Sequence, residues 1–257
     1  MRLAARRVVK IGGRAQRAPG LSGLLADAVR ASRGATCVVH GGGDEVSGVQ
    51  RRLGMEPVFA GGRRVTSEQD LEVVRMVLSG TVNKRLVALF LSHGLEAVGI
   101  SGEDASLFAA HRIDARMGCV GGRITANPHI VLQLLAGGFT PVISPLARDA
   151  DDPSGGGLNV NGDDAAAALA NALHAEELLF VVDVPGVLDD GALMPSLDLE
   201  QAAALISRGT ASGGMTAKLE AASAALVGGV TRVRIAGLEG IGDPMAGTRI
   251  VLAPSSV

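Results

Sequence analysis

Two lysines and an aspartate stand far apart in this chain, each beside glycine. Lys10 closes the β-branched run of "VVKIGG", Asp163 sits in "NVNGDDAA", and Lys218 lies in the first turns of "SGGMTAKLEAA". An ammonium group is strongly hydrated and is seldom buried without a partner. A lysine ending a buried strand is therefore either a side chain snorkelling to solvent or a cation aimed into a cleft at phosphate, with Gly12 and Gly13 supplying amides. Lys218 opposes the dipole of the helix that follows Gly213 and Gly214, which an anion near the helix start would rationalise; otherwise it is one more solvated lysine. Asp163 at a helix mouth is either an N-cap or the acid that organises cations.

Three further stretches could hold an anionic ligand. "CVVHGGGDEV" runs from a strand into three glycines without the lysine of a phosphate loop, and its helix begins near Asp44. The amides of Gly42 and Gly43 and the helix N-terminus could share an anion, if lysines from elsewhere bring the charge. In "GGRRVTSEQ", Arg63 and Arg64 follow a glycine pair that frees the backbone to curl over a substrate, and arginine binds carboxylate bidentately; the plain alternative is an exposed basic turn. Asn159 and Asn161 are two apart on an extended segment, hence on one face, and two amides plus an acid could bind a substrate and position lysines. The surrounding segment, 147–164, is acid-, glycine- and asparagine-rich, and its plain reading is a surface hairpin. Neither GxxxxGK[ST] nor GxGxxG occurs, which removes the P-loop and simple dinucleotide readings.

The elements that must position these residues alternate. Strands are expected at 7–11, 36–40, 96–101, 139–144, 177–184 and 231–237, most of them apolar enough to be covered on both faces. Helices are expected at 20–32, 45–53, 67–92, 127–136, 163–174, 198–207 and 214–228. This alternation predicts an α/β fold, a three-layer αβα sandwich around a largely parallel central sheet, with ligands at the carboxyl edge of the strands. A linker near 172–177 could join two lobes.

Composition narrows the function classes. The 257 residues carry 24 basic and 26 acidic side chains and no Trp or Tyr, so neither a basic field nor aromatic stacking recruits nucleic acid. Cys37 and Cys119 make no disulfide framework or zinc set, and the five histidines show no HxxxH or HExxH spacing, so no protein-built metal site is expected. The N-terminal apolar run is broken by Lys10 and too short for a signal peptide or membrane span, so the expectation is a cytoplasmic protein.

Taken in order, "VVKIGG", "VVHGGG", "GGRRVT", "SGTVNKRLV", "GISGEDA", "NVNGDDAAAALA", "DVPGVL", "GGMTAK" and "GTRI" resemble the amino acid kinase family over nearly the whole chain, and within it the branch acting on N-acetyl-L-glutamate. The resemblance implies transfer of the γ-phosphoryl group of ATP, carried with Mg²⁺, to the side-chain carboxylate of that substrate. It assigns Lys10 and Lys218 as the phosphate lysines and Asp163 as the acid that organises them. The substrate clamp would be Gly42, Gly43, Arg64, Asn159 and Asn161; Gly12 and Gly13 would form the phosphate loop. Asp183, Gly213, Gly214 and Met215 would line the nucleotide pocket, and no protein ligand for Mg²⁺ is implied. Arg63 stands where the family commonly has an apolar residue. The implied lobes are 1–173, for acetylglutamate binding and dimerisation, and 174–257, for ATP.

Two other readings stay open. One is a kinase acting on a carrier-protein-linked aminoadipate or glutamate, which would need basic surface near the cleft; Arg63 hints at it. The other is a non-catalytic amino-acid-sensing domain, which has no need of the lysine pair. Because the first strand begins by about residue 6, leaving no room for the extra N-terminal helix of arginine-inhibited family members, the expectation is an arginine-insensitive homodimer with 67–92 central to its interface.

Overall fold

Short β-branched runs become strands and the alanine- and leucine-rich stretches between them become helices. The computed structural model describes residues 7–32, 35–152, 154 and 156–252. The first half contains strands β1 (Arg7–Ile11), β2 (Thr36–His40), β3 (Phe59–Ala60), β4 (Arg63–Arg64), β5 (Ala97–Ser101), β6 (Phe108–Arg112) and β7 (Val120–Ala126). Then come β8 (Thr140–Ser144), β9 (Leu146–Asp149), β10 (Gly157–Val160), β11 (Glu177–Val181), β12 (Leu188–Asp189), β13 (Ala192–Leu193), β14 (Ser196–Asp198), β15 (Arg232–Ala236) and β16 (Thr248–Val251). The α-helices are α1 (Leu21–Ala31), α2 (Gly43–Arg52), α3 (Glu68–Arg75), α4 (Asn83–Leu91), α5 (His129–Ala136), α6 (Gly162–Ala172), α7 (Leu199–Ser207) and α8 (Gly214–Val227).

Eight strands form one sheet in the order β14, β16, β15, β11, β1, β2, β8, β5, parallel throughout except between β15 and β16. This is the expected largely parallel α/β sheet. Every residue of β2, β8 and β11 is buried, as expected of strands covered on both faces. β1 lies at the centre, with Lys10 in register between Phe180 of β11 and Val39 of β2. The chain therefore delivers a lysine into the middle of an aliphatic sheet, one residue before the strand ends.

Three features differ from the sequence expectation. The strand expected over 177–184 stops at Val181, so Val182, Asp183 and Val184 line a crevice instead of extending the sheet. The single helix expected over 67–92 is α3, a π-helical segment Met76–Val82, and α4. Widening the turn in this way sets Leu78 and Val82 against the glycine loop after β2: a Cβ on Gly42 would fall 2.7 Å from Leu78 Cδ2 and 3.2 Å from Val82 Cγ2. Finally, β6, β7, β9 and β10 close into a small four-stranded barrel that strand-length patterning did not reveal. Its interior is tight, since a Cβ on Gly121 would sit 2.9 Å from Ala110 Cβ and Val160 Cγ1. β9 and β10 are antiparallel, so 147–164 is a hairpin, but one whose second strand carries Asn159 to the sheet's functional edge.

At the opposite edge a buried ionic cluster ties three neighbouring strands together. Glu177 Oε1 accepts from Arg234 Nε at 2.8 Å and Glu177 Oε2 lies 2.8 Å from Arg7 Nε. Arg234, 1% exposed, also donates to the carbonyls of Gly240, Asp243 and Ala246. Removing the acid from such a cluster strands two guanidinium groups, which typically costs about 3–5 kcal/mol. Glu177→Gln is expected to lower the urea midpoint accordingly; an unchanged midpoint would show that the cluster contributes nothing to stability.

Candidate active site

The carboxyl ends of β1 and β2 place two glycine loops side by side, because Ile11 pairs with His40 in the register. A Cβ on Gly13 would lie 3.6 Å from the Gly42 nitrogen, so the loops pack backbone against backbone. Gly12 differs from expectation: its amide donates to Val181 O at 3.1 Å, which commits it to the sheet rather than to an anion. Gly42 precedes α2, whose N-terminus has no side-chain cap, so the helix opens its first amides toward the crevice.

The three dispersed charged residues meet here. Lys10 Nζ is 2.6 Å from Asp163 Oδ1, and Lys218 Nζ is 3.3 Å from Asp163 Oδ2, each ammonium on its own carboxylate oxygen. Lys218 also donates to Gly214 O at 3.1 Å. Asp163 is not the N-cap of α6: Asn161 is, its Oδ1 accepting from the amides of Asp163 and Asp164 at 2.7 and 3.4 Å. That frees Asp163 to serve the lysines alone. Burial pushes its carboxyl up, but the attraction of Lys10 and then Lys218, with their hydrogen bonds, outweighs this and holds it below the usual carboxylate range. Burial and then repulsion from Lys10 hold Lys218 below the usual lysine range, against the pull of Asp163.

On one side of this centre is a pocket of about 170 Å³ lined by Gly41, Gly42, Gly43, Arg64, Asn159 and Asn161 together with Phe59, Arg63 and Leu78. All five residues expected in the substrate clamp line it. Arg64 is 7% exposed and rigidly held, donating to Gly43 O and Ser47 Oγ, both at 2.8 Å, and to Gln50 Oε1. Its guanidinium carbon lies 4.8 Å from the centre of the Phe59 ring. Asn159 Nδ2 donates to Thr66 Oγ1 at 3.1 Å. Arg63 and Arg64 belong to a two-residue hairpin in which Phe59 pairs with Arg64 and Ala60 with Arg63. Its turn residues, Gly61 and Gly62, have φ of 55° and 75°, the left-handed pair that a tight hairpin turn demands.

On the other side is a larger pocket of about 580 Å³, sharing Gly41, Gly42, Gly43 and Gly62 with the first and lined by Lys10, Lys218, Gly12, Gly13, Asp183, Gly214 and Met215. Gly213 is absent from this lining; it precedes α8 with φ of 54° and turns the chain into that helix. Arg14 was missed by sequence reasoning. It lines the larger pocket, with Nη1 3.5 Å from Asp183 Oδ2, and only its position after the glycine pair could have signalled it. Ser47 and Gln50 were also missed, although with Gly43 they are spaced to share one face of α2.

His40 fixes the glycine loop from beneath. It is fully buried; its Nδ1 donates to Gly41 O at 3.0 Å, and its Nε2 lies 3.2 Å from Asn83 Nδ2. Burial pushes this imidazole down to about 4, with Lys10 and Arg85 adding to the effect and the Gly41 carbonyl opposing it. The folded state thus binds fewer protons here than the unfolded chain between about pH 6.5 and 4, so stability falls as pH drops through that window. The difference corresponds to roughly 3 kcal/mol. Urea unfolding at pH 7 and pH 5 is expected to show a smaller loss in His40→Asn than in the parent chain. Equal losses in the two would contradict a buried neutral histidine; the Asp163 contribution falls lower, below about pH 4.

A parallel α/β sheet whose carboxyl edge carries glycine loops and a carboxylate-bridged lysine pair between two pockets defines a protein built to handle phosphate. A model of the amino acid kinase family matches residues 5–237, and the chain belongs to that family. An acetylglutamate kinase of Chloroflexus aurantiacus is 41% identical over 245 residues, covering 94% of this chain and 95% of the relative. One of Methanopyrus kandleri is 40% identical over 246 residues, covering 91% and 96%. Among solved structures, a protein of Streptococcus mutans UA159 superposes with a TM-score of 0.85 at 27% identity, covering 96% of this chain and 99% of that one. No helix among the described residues is long and apolar enough to cross a membrane.

Proposed function

We propose that this chain is an acetylglutamate kinase, transferring the γ-phosphoryl group of ATP to the side-chain carboxylate of N-acetyl-L-glutamate in arginine biosynthesis. The products are N-acetyl-L-glutamyl 5-phosphate and ADP. The observation that carries this reading is the Lys10–Asp163–Lys218 bridge, set where a small arginine-bearing pocket meets a larger glycine-lined one. In this reading the small pocket takes the acceptor and the large one the nucleotide. The lobes divide at residues 173 and 174 accordingly.

The chemistry needs no general base. A glutamate-type carboxyl titrates at about 4.3 and is already ionised at neutral pH. Its oxygen attacks the γ-phosphorus, a new P–O bond forms, and the bond to the β-phosphate oxygen breaks with its electron pair leaving on ADP. The obstacle is repulsion between two anions, so alignment and fixed positive charge do the work. Lys10, on the central strand, neutralises the incoming side; Lys218, beside the larger pocket, stabilises the charge developing on the leaving side. Asp163 holds both ammonium groups in place. Among the described residues no cluster of three or more acids, histidines or cysteines stands ready for a metal, so Mg²⁺ fits as an ion carried by nucleotide phosphates and water. When bound it would neutralise phosphate charge. Arg64 binds a carboxylate of the acceptor, with Gly42, Gly43, Asn159 and Asn161 completing the clamp.

A coupled ADP-release assay comparing N-acetylglutamate, glutamate, aspartate and N-acetylaminoadipate is the test. The expected ranking places N-acetylglutamate first by a wide margin; no ADP release with it would end this reading and favour the sensing domain. The carrier-linked alternative draws little from Arg63, which pairs with Asp164 in the pocket wall rather than standing free on the surface. The protein works as a cytoplasmic homodimer with its interface on residues 67–92, where Met76 and Leu91 stand exposed. Light scattering showing a ring-sized particle would refute the dimer.

A further inference from the structure

Among the cations lining the larger pocket, Arg14 is the one to which the mechanism above gives no task. Its backbone is fixed. It follows Gly13 in the loop after β1 and leads into the short turn Ala15–Arg17, where the buried Gln16 donates from Nε2 to Gly41 O at 2.8 Å and so ties the two glycine loops together. Its guanidinium is not fixed. The Arg14 side chain is 77% exposed, with Nη1 3.5 Å from Asp183 Oδ2 and Nε 3.9 Å from Asp44 Oδ2, and Nη2 has no hydrogen-bond partner among the described residues. Ion pairs this long and this exposed contribute little and open readily, so the guanidinium is accessible to a ligand.

The charges of the pocket give that ligand its sign. Lys10, Arg14 and Lys218 line it, and so do Asp44 and Asp183. Asp163, between the lysines, is a third acid, so cations and acids are matched in number, and without Arg14 the site would be net negative. Attraction of a polyanion then depends on this side chain. Its position agrees, because Arg14 and Asp183 also line an adjoining cavity of about 380 Å³ that continues past Val184 and Pro185 to Leu238. A chain of phosphates running from the lysine pair toward that cavity passes the guanidinium. We propose, resting on the nucleotide reading of the larger pocket, that Arg14 is a third cation of the phosphate site, acting by its charge. When nucleotide binds, the guanidinium exchanges Asp183 and Asp44 for oxygens of the α- and β-phosphates, which ATP and ADP share. Lys10 and Lys218 serve the transferred group, whereas Arg14 holds the part that stays behind.

The test is calorimetric titration of the whole chain and its Arg14→Ala and Arg14→Lys variants. The ligands are ATP and ADP, each with Mg²⁺, and adenosine, the last measured by its displacement of ADP. The parent chain's binding of ATP tests the nucleotide reading by itself, and failure there removes both reading and inference. Given that binding, Arg14→Ala is expected to weaken ATP and ADP about tenfold each and adenosine less than twofold. Arg14→Lys, which keeps the charge, is expected to lose less than about threefold for either nucleotide. An equal loss for adenosine would mean that Arg14 only shapes the loop, and undiminished binding of ATP and ADP would mean that it does not reach the phosphates; either overturns the proposal. Circular dichroism melts of both variants verify that the fold is intact.

Discussion

Lys218→Ala is expected to lower kcat for N-acetylglutamate phosphorylation by about 10²–10³, the usual cost of deleting one preorganised donor at developing charge. Lys218 lines the larger pocket and not the smaller, and donates to Asp163 Oδ2 and to Gly214 O of its own helix. Its loss should therefore leave the KM for N-acetylglutamate nearly unchanged while turnover collapses. Arginine is a poor replacement, because a planar fork does not fit between Asp163 and the Gly214 carbonyl as a compact ammonium does. A loss below fivefold in steady-state ADP release would remove Lys218 from the reaction.

Asp163→Asn should be more damaging, because it acts on both lysines and on the fold. Asp163 is 4% exposed and is the acid between Lys10 and Lys218. Without it two ammonium groups face each other in a desolvated space, at a typical cost of about 3–5 kcal/mol in stability. The pH profile distinguishes this from simple unfolding. Asp163 raises the pKa of Lys218 against burial and against Lys10, so its removal lowers that pKa further, and activity should fail at a lower alkaline pH than in the parent. A pH–rate profile with an unmoved alkaline limb, measured on the folded fraction, would contradict the bridge.

The lysine pair was legible in the sequence because each member stands beside glycines at the boundary of an apolar element, where a solvated lysine has little reason to be. Asp163 was legible as an acid at a helix mouth, but not its freedom from capping. That depends on Asn161 taking the cap, and sequence spacing alone allows either residue to do so. Gly12 looked like an amide donor until the register showed its hydrogen bond to Val181. The parallel sheet could be read from alternation, whereas the four-stranded barrel could not, because its closure depends on glycine packing at Gly121. The π-helical segment could not be told from the helices that flank it: a turn widened by one residue stays helical and changes only which side chains face inward.

The central strand has a consequence for how this sequence can vary. Lys10 faces the crevice because it is the fourth of five residues in β1, flanked by Val9 and Ile11 pointing the other way. Inserting or deleting a single residue upstream within that strand would turn the ammonium into the opposite helical layer and bring a valine or isoleucine to the phosphate. The identity of the neighbouring aliphatics matters less than their number. Divergence in this strand is therefore expected as exchange among Val, Ile and Leu at constant length.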